Sequence, residues 1–256
     1  MTIDICNCVE DVLTKGHCVL KNHFSKQAIQ QCRVHFLPLL KKIAQRIPEG
    51  NRGPNRWAIG LPFAQPFYHS SFFIDKAVNE ICSRILGNDM HIVYYGTDTP
   101  IKGSQLQKIH ADIPFLFPQN PDHQHPPVTL SVRFTFGEMT LENGPFEVAP
   151  GTQHLPREET IAKLECGEIP MESLLLDVGD VIISDARTPH RGTPNHTDEP
   201  RPFAVIVYNR NYFFAESMDN RKLEANEETP RLTESFYRSL SQEEQRLLRR
   251  LKRQPG

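Results

Sequence analysis

Hydrophobic positions change their period once along this chain, near residue 90. Before it, apolar residues recur at helical spacing; after it, they come in short runs separated by Gly, Pro and Asn. Gly16–Lys21 reads as a short strand, and Ser25 is placed to cap a helix from Lys26 to about Ala44. Ile29, Cys32, Phe36, Leu39, Leu40 and Ile43 form its apolar side, and Pro38, which has no backbone N–H, predicts a kink or a break. Asp75–Leu86 is a second amphipathic helix, closed by Gly87. Between them, residues 48–71 have no period and are rich in Pro, Gly, Asn and aromatics. A stretch this long reads as a functional loop, with Trp57, Phe63, Phe67 and Tyr68 on a pocket wall.

From His91 onward the predicted strands are His91–Tyr95, Ser104–His110, Val128–Phe136, Gly144–Val148, Ser173–Leu176, Val181–Ile183 and Phe203–Tyr208. Many short strands with regular turn signals predict a β-sandwich or jelly roll. Val128–Phe136 alternates: Leu130, Val132, Phe134 and Phe136 share one face, and Thr129, Ser131, Arg133 and Thr135 share the other. That polar face meets either solvent or a cavity, and a buried Arg133 needs an anionic partner. Near the C-terminus, Ser241–Glu244 is a capping box, and Leu240, Leu247, Leu248 and Leu251 make a helical stripe. The other side of that helix carries Arg246, Arg249, Arg250, Lys252 and Arg253. It reads as the solvated face of a docking helix, with an anionic partner as the alternative. No repeat or linker divides the chain, so residues 1–256 read as one domain. Residues 1–90 supply helical support and a pocket loop, 91–210 the β core, and 211–256 a helical extension.

Composition narrows the function. A chain of 256 residues, 38% hydrophobic and 23% charged, fits a soluble globular protein with a sizeable core. The net charge of −2 supplies no field for nucleic acid or an anionic membrane. No run approaches the roughly 18 apolar residues of a membrane helix. The first residues lack the basic flank and apolar stretch of a signal peptide, so the expected location is the cytoplasm. The six cysteines are scattered without zinc-ribbon spacing and read as reduced thiols. The oligomeric state stays open.

The chemistry concentrates in His110-Ala-Asp112, the distal His190, and Arg201 eleven residues further on. In extended chain, residues two apart face the same way, so His110 and Asp112 can reach one ion. Two histidines and one carboxylate leave positions open on an octahedral metal, the arrangement of non-haem Fe(II) oxygenases. Arg201 adds a bidentate partner for a carboxylate. A lone His-X-Asp is common by chance; the ordered set in a β-rich frame is specific. The strand beginning at Arg201 is expected to pair with the one before His190. His123-Gln-His125 lies in a proline-rich loop that is a poor platform for ligands, and is read rather as part of a lid or substrate contact. Asn143-Gly144 and Pro150-Gly151 are turns, and His154 a turn or supporting residue.

Three segments carry a family resemblance. Gln107–Pro114, Glu142–His154 and Gly179–Asn195 continuing to Arg201 resemble the iron-binding, asparagine-glycine and distal-histidine blocks of the phytanoyl-CoA dioxygenase family. Residues 16–26 resemble its N-terminal opening, so the likeness covers roughly residues 10–210. The resemblance implies a mainly β fold with flanking helices, a double-stranded β-helix (jelly roll, cupin-like). It implies an Fe(II)-dependent dioxygenase using 2-oxoglutarate and O2, with His110, Asp112 and His190 as iron ligands. Arg201 falls on the partner of the distal 2-oxoglutarate carboxylate, and Gln107 and Thr193 on further co-substrate contacts. Asp112 stands where related halogenases have a small residue, which implies oxygenation over halogenation. The expected substrate is a small molecule, secondary metabolites included, held by Arg56, Trp57, Phe67 and Arg133. Such a pocket suits a partly apolar molecule with an acidic or polar group. Nothing marks a coenzyme A site. Desaturation, epimerisation or ring formation at the same centre, a silent binding protein, and a cupin-like zinc hydrolase that would not need Arg201 are the alternatives.

Overall fold

Two antiparallel sheets and seven helices are built by the described residues, 3–117, 125–213 and 232–255, of the computed structural model. The helices are α1 (Ile5–Lys15), α2 (Lys26–Arg46), α3 (Ser70–Phe73), α4 (Lys76–Leu86), α5 (Arg157–Glu165), α6 (Glu234–Ser239) and α7 (Gln242–Leu248). The strands are β1 (His17–Leu20), β2 (Arg56–Gly60), β3 (His91–Pro100), β4 (Thr129–Thr135), β5 (Phe146–Val148), β6 (Glu172–Leu174), β7 (Val181–Asp185), β8 (His190–Gly192) and β9 (Phe203–Asn209).

α1, α2 and α4 start where side chains satisfy free backbone donors. Asp4, Ser25 and Asp75 accept from the backbone N–H groups of Asn7, Ala28 and Val78 at 3.0, 3.3 and 2.9 Å. Pro38 does not divide α2, which runs through it unbroken, so the expected break is absent. It sits on the exposed side, where the carbonyl it leaves without a donor can meet water, while Phe36, Leu40 and Ile43 hold the helix to the core. Gly16 ends α1 at φ 85°, and a Cβ there would lie 2.4 Å from Thr188 Oγ1.

The large sheet has the order β1-β7-β4-β9-β3-β2, and β6-β5-β8 forms a smaller one. Strand alternation sorts the large sheet into two faces. One face packs Trp57, Ile59, Tyr95, Val132, Phe134, Ile183 and Ile206 against α2 and α4 in the main core. The other carries Ala58, Asp98, Arg133, Phe203 and Val205 towards a cavity. Ile182 and Phe203 of the large sheet also pack with Phe146, Val148 and Leu174 of the small one, closing that side of the sandwich.

Three expectations need correction. Ser104–His110 is not a ladder strand; His110 alone forms an isolated bridge, to His190. β9 does not pair with β7, because β4 lies between them and bonds to both. After β7 the chain crosses to the small sheet for β8 before it returns as β9. Finally, the segment read as a loop contains β2, whose five residues pair with Gly96–Pro100. At the C-terminus the capping box of Ser241 and Glu244 forms as read, and Leu247 and Leu248 enter the main core. Among the described residues no helix is long and apolar enough to cross a membrane.

Candidate metal centre

His110 and His190 meet as a backbone pair. Each donates its N–H to the other's carbonyl, at 3.0 and 2.8 Å, which brings the two rings to a centroid distance of 4.6 Å. Each ring then uses Nδ1 to donate to a local carbonyl, Lys108 O at 2.9 Å and Thr188 O at 2.8 Å. This fixes the tautomers and leaves both Nε2 atoms as acceptors facing the same space. Asp112 is delivered by a second clamp: its N–H donates to Ala186 O at 2.9 Å. The turn holding Ala186 is braced by Arg187, which pairs with Asp185 at 2.6 Å and donates to His125 O at 2.7 Å. One ligand atom from each of His110, Asp112 and His190 lies within 4.8 Å of the others.

The electrostatics favour a cation. Burial pushes the Asp112 carboxyl up, but His190, Arg133 and His110 outweigh it and hold it well below the usual carboxylate range. Burial, with His190 nearby, lowers His110 to about 4, so the ring stays neutral and able to ligate. Arg133 is the polar outlier of β4, and the structure explains it. Its Nη2 lies 2.6 Å from Asp112 Oδ2, its Nη1 donates to Ser184 Oγ, and its guanidinium stacks 5.2 Å over Phe146. Asp112 Oδ1 is left 3.5 Å from His190 Nε2, on the ligand side.

Arg201 lines the same cavity of about 260 Å³. It is 2% exposed, and its Nε and Nη1 have no hydrogen-bond partner among the described residues. Burial lowers its pKa to about 9; Asp98 opposes the shift and Arg56 adds to it. An orphaned, buried guanidinium is a place for an anion. A metal between the three ligands and a dicarboxylate reaching Arg201 therefore both fit the residues present.

The remaining sequence candidates divide. Gln107 lines the cavity, with Oε1 accepting from Gly192 N at 2.8 Å. Thr193 is turned away, its hydroxyl donating to Pro145 O at 2.7 Å. Arg56 does not line the cavity: it is consumed by Asp98 Oδ2 at 2.7 Å and Thr193 O at 2.8 Å. Trp57 and Phe67, with Phe63 and Tyr68, are core residues rather than pocket wall. The alternation of β2 explains Trp57, which faces α2 and donates Nε1–H to Ile47 O at 2.9 Å. His154 Nε2 lies 3.4 Å from Leu13 O, and His125 is tied up by Leu116 N and Pro126 O at 3.3 and 2.9 Å; His123 lies outside the described residues. Sequence reading missed Arg52, Asp98 and the apolar wall of Phe146, Phe203, Val205 and Val207. Extending the β3 pattern past Tyr95 would have placed Asp98 on the register of β2.

Comparison with known proteins bears on this geometry. A family profile for phytanoyl-CoA dioxygenase (PhyH) matches residues 14–203. Among solved structures, AviO1 from Streptomyces viridochromogenes Tue57 is similar with a TM-score of 0.62 at 16% identity, over 84% of this chain and 99% of AviO1. The non-haem α-ketoglutarate-dependent carbocyclase SnoK from nogalamycin biosynthesis gives 0.60 at 15%, over 79% and 83%. HygX from Streptomyces hygroscopicus, with nickel, 2-oxoglutarate and hygromycin B bound, gives 0.59 at 14%, over 81% and 88%. At such identities these likenesses speak for the shared fold. The profile match runs from the end of α1 to the first residue of β9, and by it the chain belongs to the phytanoyl-CoA dioxygenase family of non-haem Fe(II)- and 2-oxoglutarate-dependent oxygenases.

Proposed function

We propose that this chain hydroxylates a small molecule, with His110, Asp112 and His190 as the ligands of Fe(II) and Arg201 as the partner of the distal carboxylate of 2-oxoglutarate. One observation carries the reading: the three ligand atoms converge within 4.8 Å in a cavity that also holds the unpartnered Nε and Nη1 of Arg201. Bound Fe(II), with 2-oxoglutarate and O2, supplies the oxidising power for attack on an unactivated carbon.

The protein's part is geometry, charge and exclusion of water. Nδ1 hydrogen bonds lock both imidazoles. Arg133 keeps Asp112 ionised and occupies Oδ2, which leaves Oδ1 for the metal, so Arg133 serves the ligand rather than the substrate. Gln107 is a further co-substrate contact through its amide nitrogen, since its oxygen is already engaged. Thr193 contributes through its carbonyl, which helps hold Arg56 behind the wall. Phe146, Phe203, Val205 and Val207 give the cavity an apolar side.

Purified protein supplied with Fe(II), ascorbate and 2-oxoglutarate should release succinate, at least by slow uncoupled turnover. Absence of both succinate and 2-oxoglutarate binding would sink this reading. Ring closure, the reaction named for the similarly folded carbocyclase SnoK, is the alternative outcome at the same centre. Product mass separates the two: hydroxylation adds one oxygen, whereas ring closure removes two hydrogens.

A further inference from the structure

The cavity holds more positive charge than its own carboxylates and the proposed co-substrate can balance. Four guanidiniums, Arg52, Arg56, Arg133 and Arg201, stand at or behind its wall against two carboxylates, Asp98 and Asp112. Arg56 is matched by Asp98, and Arg133 by Asp112. Fe(II) would add two positive charges and dianionic 2-oxoglutarate would remove two, so the site keeps a surplus of two positive charges, with one 2-oxoglutarate carboxylate facing Arg201 and no carboxylate facing Arg52. Arg52 is then left without a counter-charge. It forms no ion pair among the described residues, and its Nε is buried with no hydrogen-bond partner.

Arg52 is not a loose surface side chain. The Asn51 amide bonds twice to the backbone of Ala58, donating to its carbonyl at 2.9 Å and accepting from its N–H at 2.7 Å. The backbone N–H groups of Asn51 and Arg52 both donate to Arg56 O at 3.2 Å. Gly50 closes the turn at φ 81°, where a Cβ would lie 2.4 Å from Gly53 O. The turn therefore fixes the Arg52 backbone beside β2, and the half-buried residue lines the cavity.

We infer that the substrate carries an anionic group, a carboxylate or a phosphoryl group, and that Arg52 binds it. This rests on the reading of the site as an Fe(II)- and 2-oxoglutarate-dependent centre. A planar fork with a desolvated N–H matches such an oxyanion, and a neutral substrate covering it would leave that donor unsatisfied.

The test uses the full chain loaded with Ni(II) and saturating 2-oxoglutarate, titrated calorimetrically with inorganic phosphate and with acetate. At least one anion should bind without displacing 2-oxoglutarate, and the tighter one marks the substrate's group as phosphoryl or carboxylate. Arg52→Gln should weaken that binding about tenfold or more, and Arg52→Lys should restore part of it. Retained 2-oxoglutarate binding in both variants would show an intact cavity. Binding of neither anion, equal binding to Arg52→Gln, or displacement of 2-oxoglutarate overturns the inference alone. Failure of 2-oxoglutarate to bind the Ni(II)-loaded wild type overturns the parent reading as well.

Discussion

Asp112 and Arg201 line one cavity but do separable work. Asp112 carries the only carboxylate of the ligand set, so Asp112→Ala should abolish tight metal binding. Arg201 touches no metal ligand, so Arg201→Ala should keep metal affinity and weaken 2-oxoglutarate by about a hundredfold, the value of a buried charge-assisted contact of about 2–3 kcal/mol. Calorimetric titration of both variants with Ni(II), then 2-oxoglutarate, checks this; equal loss of metal affinity would contradict the division. These residues were legible in the sequence because short local segments deliver them and family blocks surround them. Arg52 was not, because its meaning lies in a counter-charge it lacks, which no spacing displays. Trp57 misled for a related reason: an aromatic in a Pro- and Gly-rich stretch says nothing of which sheet face it joins until β2 is paired.

At the scale of elements, the site depends on how closely β8 approaches its neighbours. A Cβ on Gly192 would lie 2.5 Å from Arg56 Nη1 and 2.7 Å from Gln107 Oε1. Gly192→Ala should therefore cost about 1–3 kcal/mol of stability, the usual penalty for overpacking, measured by denaturant unfolding at constant m-value. A change within error of zero would mean that β8 has slack. Strand identity was readable wherever alternation was strong: β4 falls within the expected Val128–Phe136, and of its buried polar face Arg133 lines the cavity. Strand pairing was not readable. Nothing local in Phe203–Asn209 says that its neighbours are β3 and β4 rather than β7, because the crossing through the small sheet sets that order. The segment before His110 likewise has strand-like composition but no ladder, because its backbone meets β8 at isolated points.

Across the whole molecule, the C-terminal helix closes the structure over the far end of β3. Leu247 and Leu248 are fully buried, and Arg249 donates to Met90 O at 3.1 Å and Asn211 Oδ1 at 2.9 Å. Arg249 is thus spent on the protein's own oxygens, whereas Arg246, Arg250, Lys252 and Arg253 stay exposed, as the sequence reading expects. Beneath it, His91 is fully buried with neither ring nitrogen hydrogen-bonded among the described residues. Burial, with Arg250 and Arg249 adding to it, lowers its pKa to about 4. The unfolded chain takes up this proton at the ordinary histidine pKa of about 6.5, so the contribution is complete above that pH and is lost as pH falls towards 4. Between pH 7 and pH 5 His91 should cost the wild type about 2 kcal/mol, and His91→Phe should remove that part of the slope. An unchanged slope in the variant would assign the acid sensitivity elsewhere. None of this was visible in the sequence, where His91 is simply the first residue of a strand.

The most direct test of the metal centre is a crystal structure of the chain grown without oxygen in the presence of Fe(II) and 2-oxoglutarate. It should show one ion bound by His110 Nε2, Asp112 Oδ1 and His190 Nε2, with the distal carboxylate of 2-oxoglutarate on Nε and Nη1 of Arg201. An ion held elsewhere, or a co-substrate carboxylate that leaves Arg201 unpartnered, would contradict it.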